Sequence, residues 1–424
     1  PYILGVNMFE AVNPKMNFPE METGILKWWD ENQIPDKYMA KNEGSDKRYS
    51  FIDGPITANN RMGVHHAWGR SYKDLFSRFR TMQGYRQRYQ NGFDGQGLWI
   101  EVEVEKELGF TSKTDIEGYG IDKFVTLCKE RVQRFADVIS EQSKQLAYWM
   151  HWDNSYHTMS DENNYTIWHF LKTCHERGLL YEGTDVMPWC PRCSTGLSEH
   201  EIVTEGYVET EHPGLFVKFP ILDSDLETTE DSLLIWTTTP WTLSSNCAAA
   251  VNKDMDYVKI KQDHGYLYLA KSRISSLAGD HEVVSELKGS ELVGLNYEGP
   301  FDELPAQEGV KHRVVAWDEV SETEGTGIVH IAPGAGKEDF ALGKREGIPT
   351  IAPLDDLGDF VEGFDWLTGL NVYEVNDKIY ESLKSKGKFY RLERYKHRYP
   401  HCWRCGSELV FRLVDEWFIK MDPL

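Results

Sequence analysis

Two C-x-x-C pairs, Cys190-Pro-Arg-Cys193 and Cys402-Trp-Arg-Cys405, carry the strongest chemical signal in the chain. Each pair presents two thiolates on one tight knuckle, and two knuckles supply the four sulfur ligands of a tetrahedral Zn²⁺. A closed Cys₄ set leaves no position for substrate, so the role it predicts is structural. The rival readings are two pairs of inert buried thiols or a thioredoxin-like redox pair. A second segment, Asp53 to His66, is rich in small residues that let the backbone approach a ligand, and it ends in His65 and His66. Imidazoles at a helix N-terminus meet phosphate oxygens where the helix dipole already favours negative charge. The same histidines also suit a helix cap or a solvated surface.

The elements that must position these groups follow from periodicity. Tyr49 to Ile52 reads as a strand and Asp53 to Met62 as a turn-rich loop. Ala67, Tyr72, Leu75, Phe76, Phe79 and Met82 then fall at helical spacing until Gly84 stops the helix. Strand, loop, helix is the opening of a nucleotide-binding α/β sheet. Further helices are predicted over Ile121 to Trp149 and from Asp161, as N-cap, to Gly178. From Gly206 to about Phe364 the chain changes to short β-type runs (Leu215 to Phe219, Leu233 to Thr239, Tyr257 to Ile260, Gly327 to Ile331) between Gly, Pro and Asp turns. The two cysteine pairs bracket this stretch, so a β-rich domain interrupts a small zinc-bound unit.

Composition bounds the function classes. With 424 residues, 40% apolar and 13% aromatic, the chain is neither disordered, collagen-like nor a coiled coil, and its length suits two to four domains. A formal charge of -22 excludes nucleic-acid binding through bulk basicity. A local cationic stretch remains: Lys386, Lys388, Arg391, Arg394, Lys396, Arg398, Arg404 and Arg412 interleave with Phe389, Tyr390, Tyr395 and Tyr399. It reads either as a surface for RNA phosphates or as a solvated charged face. No apolar run reaches 18 residues, and Pro1 to Glu10 lacks the order of a signal peptide, so a cytoplasmic protein without membrane association is expected. Seven cysteines, an odd number, do not make a disulfide framework.

The segment from Asp53 to His66 resembles the ATP-binding signature of the class I aminoacyl-tRNA synthetases. Tyr72-Lys73-Asp74, Gly92-Phe93-Asp94, Gly97-Leu98 and Ile100-Glu101 are similar to successive blocks of the isoleucyl, valyl and leucyl group, and Trp189 to Ser198 resembles its zinc-bound connective segment. Residues 15 to 422 follow the group in order. Trp236-Thr237-Thr238-Thr239-Pro240-Trp241-Thr242-Leu243 resembles the editing motif of the isoleucyl branch, with Thr239 where the valyl and leucyl types usually carry Arg. Gly325 to Phe340 resembles the opposite editing wall, and His397 to Cys405 with Glu416-Trp417-Phe418 also fits the isoleucyl branch.

The resemblance implies an α/β fold: the first half of a class I Rossmann-type catalytic domain with a zinc-bound connective unit and an inserted β-rich editing domain. The expected limits are 1-48 for an N-terminal extension, 49-182 for the catalytic half, 183-205 and 366-412 for the connective unit, 206-365 for the insertion, and 413-424 for the return to the catalytic domain. The activity implied is ATP-dependent activation of isoleucine, transfer to tRNA(Ile) and hydrolysis of misacylated valyl-tRNA. Its substrate complex is ATP with Mg²⁺, its structural metal Zn²⁺, and its expected state a monomer. By the same resemblance Gly54 and Pro55 line the amino-acid pocket and Asp94 binds the substrate ammonium. Asn59, Gly63 and His66 meet ATP, with His65 and His66 in the catalytic signature. Thr237, Thr238 and Thr239 offer hydroxyls to the terminal ribose and attacking water, and Asp339 offers a carboxylate to the ammonium of valine. Taken without the resemblance, a loop aspartate is a turn former and a run of threonines a strand former. A second site is needed because one methylene distinguishes the two amino acids by only about 1 to 3 kcal/mol, a limit for which isoleucine against valine is itself the standard illustration.

Departures accompany the match. The group's signature reads His-x-Gly-His, whereas this chain has Gly63-Val64-His65-His66, and Asn60 and Ala335 replace a usual Gly and a usual His or aromatic residue. The family continues beyond the position of Leu424 with the second catalytic half, a Lys-Met-Ser-Lys-Ser loop and a helical anticodon-binding domain, so an N-terminal portion is expected, with Pro1 to Val6 as vector or upstream sequence. A free-standing deacylase and a non-catalytic tRNA-binding module derived from a synthetase remain open as alternatives.

Overall fold

The computed structural model describes residues 14–262 and 265–424, so Pro1 to Val6 and the start of the expected N-terminal extension lie outside the described residues. The chain divides into two compact units between Thr173 and Cys174, a boundary nine residues before the expected one at 182.

In the first unit, Pro19 and a side-chain cap from Asn17 to the Glu20 amide (3.4 Å) start the helix Phe18–Glu31. The strand Arg48–Ile52 pairs in parallel with Arg86–Gln90, in a register that sets Arg48 beside Arg86 and Ile52 beside Gln90. Farther along the same chain segments, Ile56–Thr57, Gly92–Asp94 and Tyr156–His157 form a parallel three-stranded sheet. Parallel neighbours require a crossover, which the helix Val64–Met82 supplies; Gly84, at φ 87°, turns the chain out of it. Ala58, Phe93 and Ile100 pack against Val132, Ala136 and Ile139, which recur on one face of the helix Ile121–Gln145.

Three expectations are corrected in this unit. The helix from Ile121 ends at Gln145 instead of Trp149. Ser160, whose hydroxyl accepts from the Asn163 amide at 3.3 Å, caps the next helix, and Asp161 is its first residue. The helix Val64–Met82 forms where its apolar spacing predicts, yet it buries Arg70, Ser77 and Thr81 and exposes Tyr72, Leu75, Phe76, Phe79 and Met82. The polar face is inward because it carries the partners of a buried carboxylate, described below.

The second unit is built on a six-stranded sheet, in spatial order Glu282–Lys288, Asp256–Gln262, Gly265–Ala270, Thr228–Thr237, Tyr207–Leu222 and Phe389–Pro400. All neighbours are antiparallel except Gly265–Ala270 with Thr228–Thr237. Alternate residues Leu215, Val217 and Phe219 face Leu233, Ile235 and Tyr257 in one apolar core. A smaller sheet sets Ala248–Val251 between Val314–Ala316 and Val329–Ile331. A long antiparallel hairpin joins Leu180–Cys190 to Val410–Ile419. The expected break at 365/366 is not a packing boundary: Phe389–Pro400 is an edge strand of the large sheet, and Val375, Ile379 and Leu383 belong to the same core as Leu215.

Candidate functional site

Asp53 organises the nucleotide-type edge of the first unit. It is buried, and its carboxylate receives Lys73, Arg70 (3.7 Å) and the Tyr148 hydroxyl (3.4 Å). A buried charge persists only when so partnered, which explains why the crossover helix turns its polar face inward. The Tyr156 hydroxyl donates to the Asp53 carbonyl at 2.7 Å, and its ring passes over Gly92, where an added Cβ would lie 2.1 Å from the ring. Only glycine admits that crossing.

The fixed Asp53 presents Gly54 and Pro55, both exposed, at the carboxyl end of the first strand, with open space where a side chain at 54 would begin. Asp94 ends the neighbouring strand half-buried. One of its oxygens accepts from the Thr158 hydroxyl (2.9 Å) and the Gln96 amide (3.2 Å), and the other has no partner among the described residues. Carboxyl ends of parallel strands are where such sheets bind ligands. Asn59, expected at ATP, is buried, its amide nitrogen bonded to the Trp99 carbonyl (3.0 Å) and its oxygen to Arg131 (2.7 Å). Its side chain braces the loop from behind.

His66 is the N3 residue of the helix, and its Nδ1 accepts the Gly63 amide at 3.1 Å. The capping alternative is therefore realised, and the Gly63 N–H is spent inside the protein. Burial, and then the nearby His65, Arg70 and Lys73, lower the His66 pKa, which favours a neutral ring whose Nε2–H is left as a donor. The exposed His65 ring lies against that of His66, centroids 3.8 Å apart, and folds back over Gly63, so that a Cβ there would meet it at 3.0 Å.

In the second unit Cys190, Cys193, Cys402 and Cys405 converge, their sulfur atoms all within 4.8 Å of one another and Cys190 3.5 Å from Cys405. Zn–S bonds of 2.3 Å in a tetrahedron imply sulfur separations of about 3.8 Å, so the set fits a zinc ion. Hydrogen bonds from Cys190 and Cys193 push the Cys402 and Cys405 thiols below their ordinary range, as suits sites that bind a cation as thiolates.

Of the expected threonines only Thr237 is in the strand, at its end; Thr238 and Thr239 form the turn after it. The Thr237 hydroxyl accepts the Thr239 amide (3.1 Å), and Thr242 donates to the Thr239 carbonyl (2.7 Å). Thr242 also lies 2.9 Å from Nε2 of the buried His330, which burial holds at a pKa of about 4. The strand of His330 ends at Ile331, and the amide of the next residue, Ala332, donates to Asp339 at 2.8 Å. Burial raises the Asp339 pKa to about 6. Thr242 and His330 thus link the threonine turn to the Asp339 wall, and His330 was missed in the residue-by-residue reading. Its signal was a histidine between Val329 and Ile331 in an otherwise apolar strand.

The cationic stretch is interlaced with acidic partners. Lys386 pairs with Glu303, Lys388 with Glu298, Arg391 with Glu393, Arg394 with Glu211, Arg404 with Glu201 and Arg412 with Asp356. Six of its eight cations thus have a carboxylate partner within the chain, while Lys396 and Arg398 have no ion pair among the described residues and Arg394 stays exposed.

Residues 24–424 match the family described as tRNA synthetases class I (I, L, M and V). Curated isoleucine–tRNA ligases are similar along nearly the whole chain. That of Clostridium acetobutylicum is 40% identical over 98% of this chain and 40% of its own length. That of Pyrococcus abyssi is 42% identical over 98% and 39%, and that of Pyrococcus furiosus 42% over 96% and 39%. The chain thus spans about two-fifths of the length of these relatives. No helix among the described residues is long and apolar enough to cross a membrane.

Proposed function

The chain belongs to the class I tRNA synthetases of the isoleucine, leucine, methionine and valine group, and from this we propose that it supplies the ATP-binding edge and the editing wall of an isoleucine–tRNA ligase. What carries the reading is identity of 40 to 42% spread over 98% of the chain, through both units.

In the first step the isoleucine carboxylate attacks the α-phosphorus of ATP and pyrophosphate leaves. The unpartnered oxygen of Asp94 receives the ammonium, and the open space at Gly54 and Pro55 admits the side chain. His66, held neutral and oriented through Nδ1, donates from Nε2 to phosphate oxygen. Mg²⁺ bound to the phosphates supplies further neutralisation. The acyl group then passes to the terminal ribose of tRNA(Ile) with loss of AMP.

Valyl-tRNA enters the second unit, where the threonine turn holds the ribose and a water, and ionised Asp339 binds the valine ammonium. Hydroxide equivalents from that water add to the ester carbonyl, and the ribose oxygen leaves with a proton. Cys190, Cys193, Cys402 and Cys405 would hold Zn²⁺, which would tie the knuckle at the end of Leu180–Cys190 to the one before Val410–Ile419 and fix the base of the hairpin.

The test is an assay of valyl-tRNA(Ile) and isoleucyl-tRNA(Ile) hydrolysis by the 424-residue chain, beside isoleucine-dependent pyrophosphate exchange by a protein extended to the relatives' length. Preferential loss of the valyl ester together with exchange by the longer protein is expected. Hydrolysis without exchange would leave a deacylase, and neither would leave only a binding module.

A further inference from the structure

A groove of about 660 Å³ opens in the first unit at the beginnings of the strands whose other ends lead to Gly54 and Asp94. Parallel register sets Arg48 beside Arg86 and Ser50 beside Arg88, and strand alternation turns all four to the face that lines the groove. Adjacent parallel strands lie about 4.8 Å apart, and residues i and i+2 about 6.6 Å apart, so three guanidinium groups arise from one small patch. His151 adds a fourth nitrogenous group to its wall.

These arginines have no compensation. Among the described residues the side chains of Arg48, Arg86 and Arg88 make no hydrogen bond, ion pair or ring contact, and Asp36 and Glu43, which share the groove, pair with none of them. Most of the unit's other arginines are engaged: Arg70 with Asp53, Arg78 with Asp74, Arg80 over Tyr85, and Arg131 and Arg134 with Glu107; among the described residues Arg61 stands alone in the loop before the helix Val64–Met82. Like charges directly opposite on a sheet repel, and in a chain of 68 acidic and 46 basic residues carboxylates to separate them are plentiful. Gln87, between Arg86 and Arg88, turns its buried side chain to the opposite face, where Nε2 donates to the Ser77 carbonyl at 3.0 Å. The groove has no aromatic side chain on which a base could stack. Arg48 begins a strand five residues long, so the groove starts roughly 16 Å from the Gly54 edge.

We propose that this groove is a second anion site, which takes adjacent phosphoryl groups on Arg48, Arg86 and Arg88, from a free oligophosphate or from an RNA backbone. Arginine forks suit phosphate oxygens in pairs. The proposal is independent of the ligase reading.

The test is calorimetric titration of the 424-residue chain at fixed ionic strength with pyrophosphate, tripolyphosphate and unacylated tRNA. Binding that falls about tenfold or more in Arg86→Ala and Arg88→Ala, less in Arg86→Lys, and not in Lys129→Ala is expected. Unchanged melting temperatures must accompany the loss. Heat from the oligophosphates identifies the free anion as the ligand, whereas heat from tRNA alone, equally sensitive to Arg86→Ala, identifies the backbone. The proposal fails if none of the three binds, or if binding ignores both arginines, as it would for a pyrophosphate held at the His66 edge.

Discussion

The Thr242 hydroxyl bridges two segments far apart in sequence, donating to the Thr239 carbonyl at 2.7 Å while lying 2.9 Å from Nε2 of His330. With its own proton committed to the carbonyl, the hydroxyl accepts from Nε2–H, which fixes the imidazole tautomer and leaves Nδ1 buried without a partner. The shape of the threonine turn is thereby tied to the strand that leads into Ala332 and its hold on Asp339. A histidine buried this deeply and kept neutral serves as a rigid spacer between the two walls.

The first prediction follows from that neutrality. His330 titrates at about 4 in the folded chain against 6.5 in the unfolded one, so the unfolded state binds its proton first. Its contribution is full above pH 6.5 and is lost as the pH falls toward 4, up to roughly 3 kcal/mol. Urea midpoints between pH 7 and pH 4.5 should fall more steeply for the natural chain than for His330→Gln. Thr242→Val, which strands Nε2, should cost about 1 to 3 kcal/mol at pH 7. Parallel pH slopes in the two proteins would remove His330 from this account.

The second concerns Asp339, which must be ionised to hold an ammonium. Its carboxyl is raised to about 6 by burial, so the charged fraction declines as the pH drops through 6. Hydrolysis of valyl-tRNA should lose rate below pH 6, and Asp339→Ala should abolish it while isoleucine activation by a longer protein persists. Asp339→Asn should lose the acid limb along with the activity. An Asp339→Ala protein that still clears valyl-tRNA at the natural rate would end the ammonium role.

The third is zinc content. Protein purified without added metal should carry about one equivalent per chain, and Cys402→Ser should release it and lower the melting temperature. Elemental analysis decides: full retention in Cys402→Ser would mean that the four sulfur atoms are not one site.

The cysteine knuckles were readable because each is four residues long, and two such spacings identify a tetrahedral set without knowledge of the path between them. The helix Val64–Met82 was equally readable, but not which face it buries, since that depends on Asp53, a residue outside the helix whose charge draws Arg70 and Lys73 inward. The burial of Asn59 was hidden for the same reason: its partner Arg131 lies 72 positions away. The continuity across 365 is not legible locally, because the strand Phe389–Pro400 pairs with Tyr207–Leu222 across nearly the whole insertion, and local composition carries no trace of that pairing. His330 was readable in principle, as a lone polar residue in an apolar strand, and was passed over in favour of the motif around it.

The last prediction concerns Gly63-Val64-His65-His66, where this chain departs from the His-x-Gly-His order. The geometry gives the exchange a steric reason. The exposed His65 ring occupies the space in front of Gly63, 3.0 Å from where a Cβ would stand, so a histidine at 63 fits only if that ring gives way. Conversely, His65→Gly alone leaves that space empty and adds backbone freedom in the first turn, a loss of about 0.5 to 1 kcal/mol relative to Ala. The two positions are therefore expected to be coupled, while His66 keeps its place through the Gly63 amide. In a protein of the relatives' length, isoleucine-dependent pyrophosphate exchange should be present in the natural order. It should fall about tenfold or more in Gly63→His, where the cap is displaced and the His66 donor moves off the phosphates. It should fall less in His65→Gly, and return in the double variant. Stopped-flow ATP binding to the same four proteins separates a moved donor from misfolding, because a displaced His66 weakens binding while the melting temperature holds. Full activity in Gly63→His would show that the imidazole at 65 swings aside freely and that the coupling does not exist.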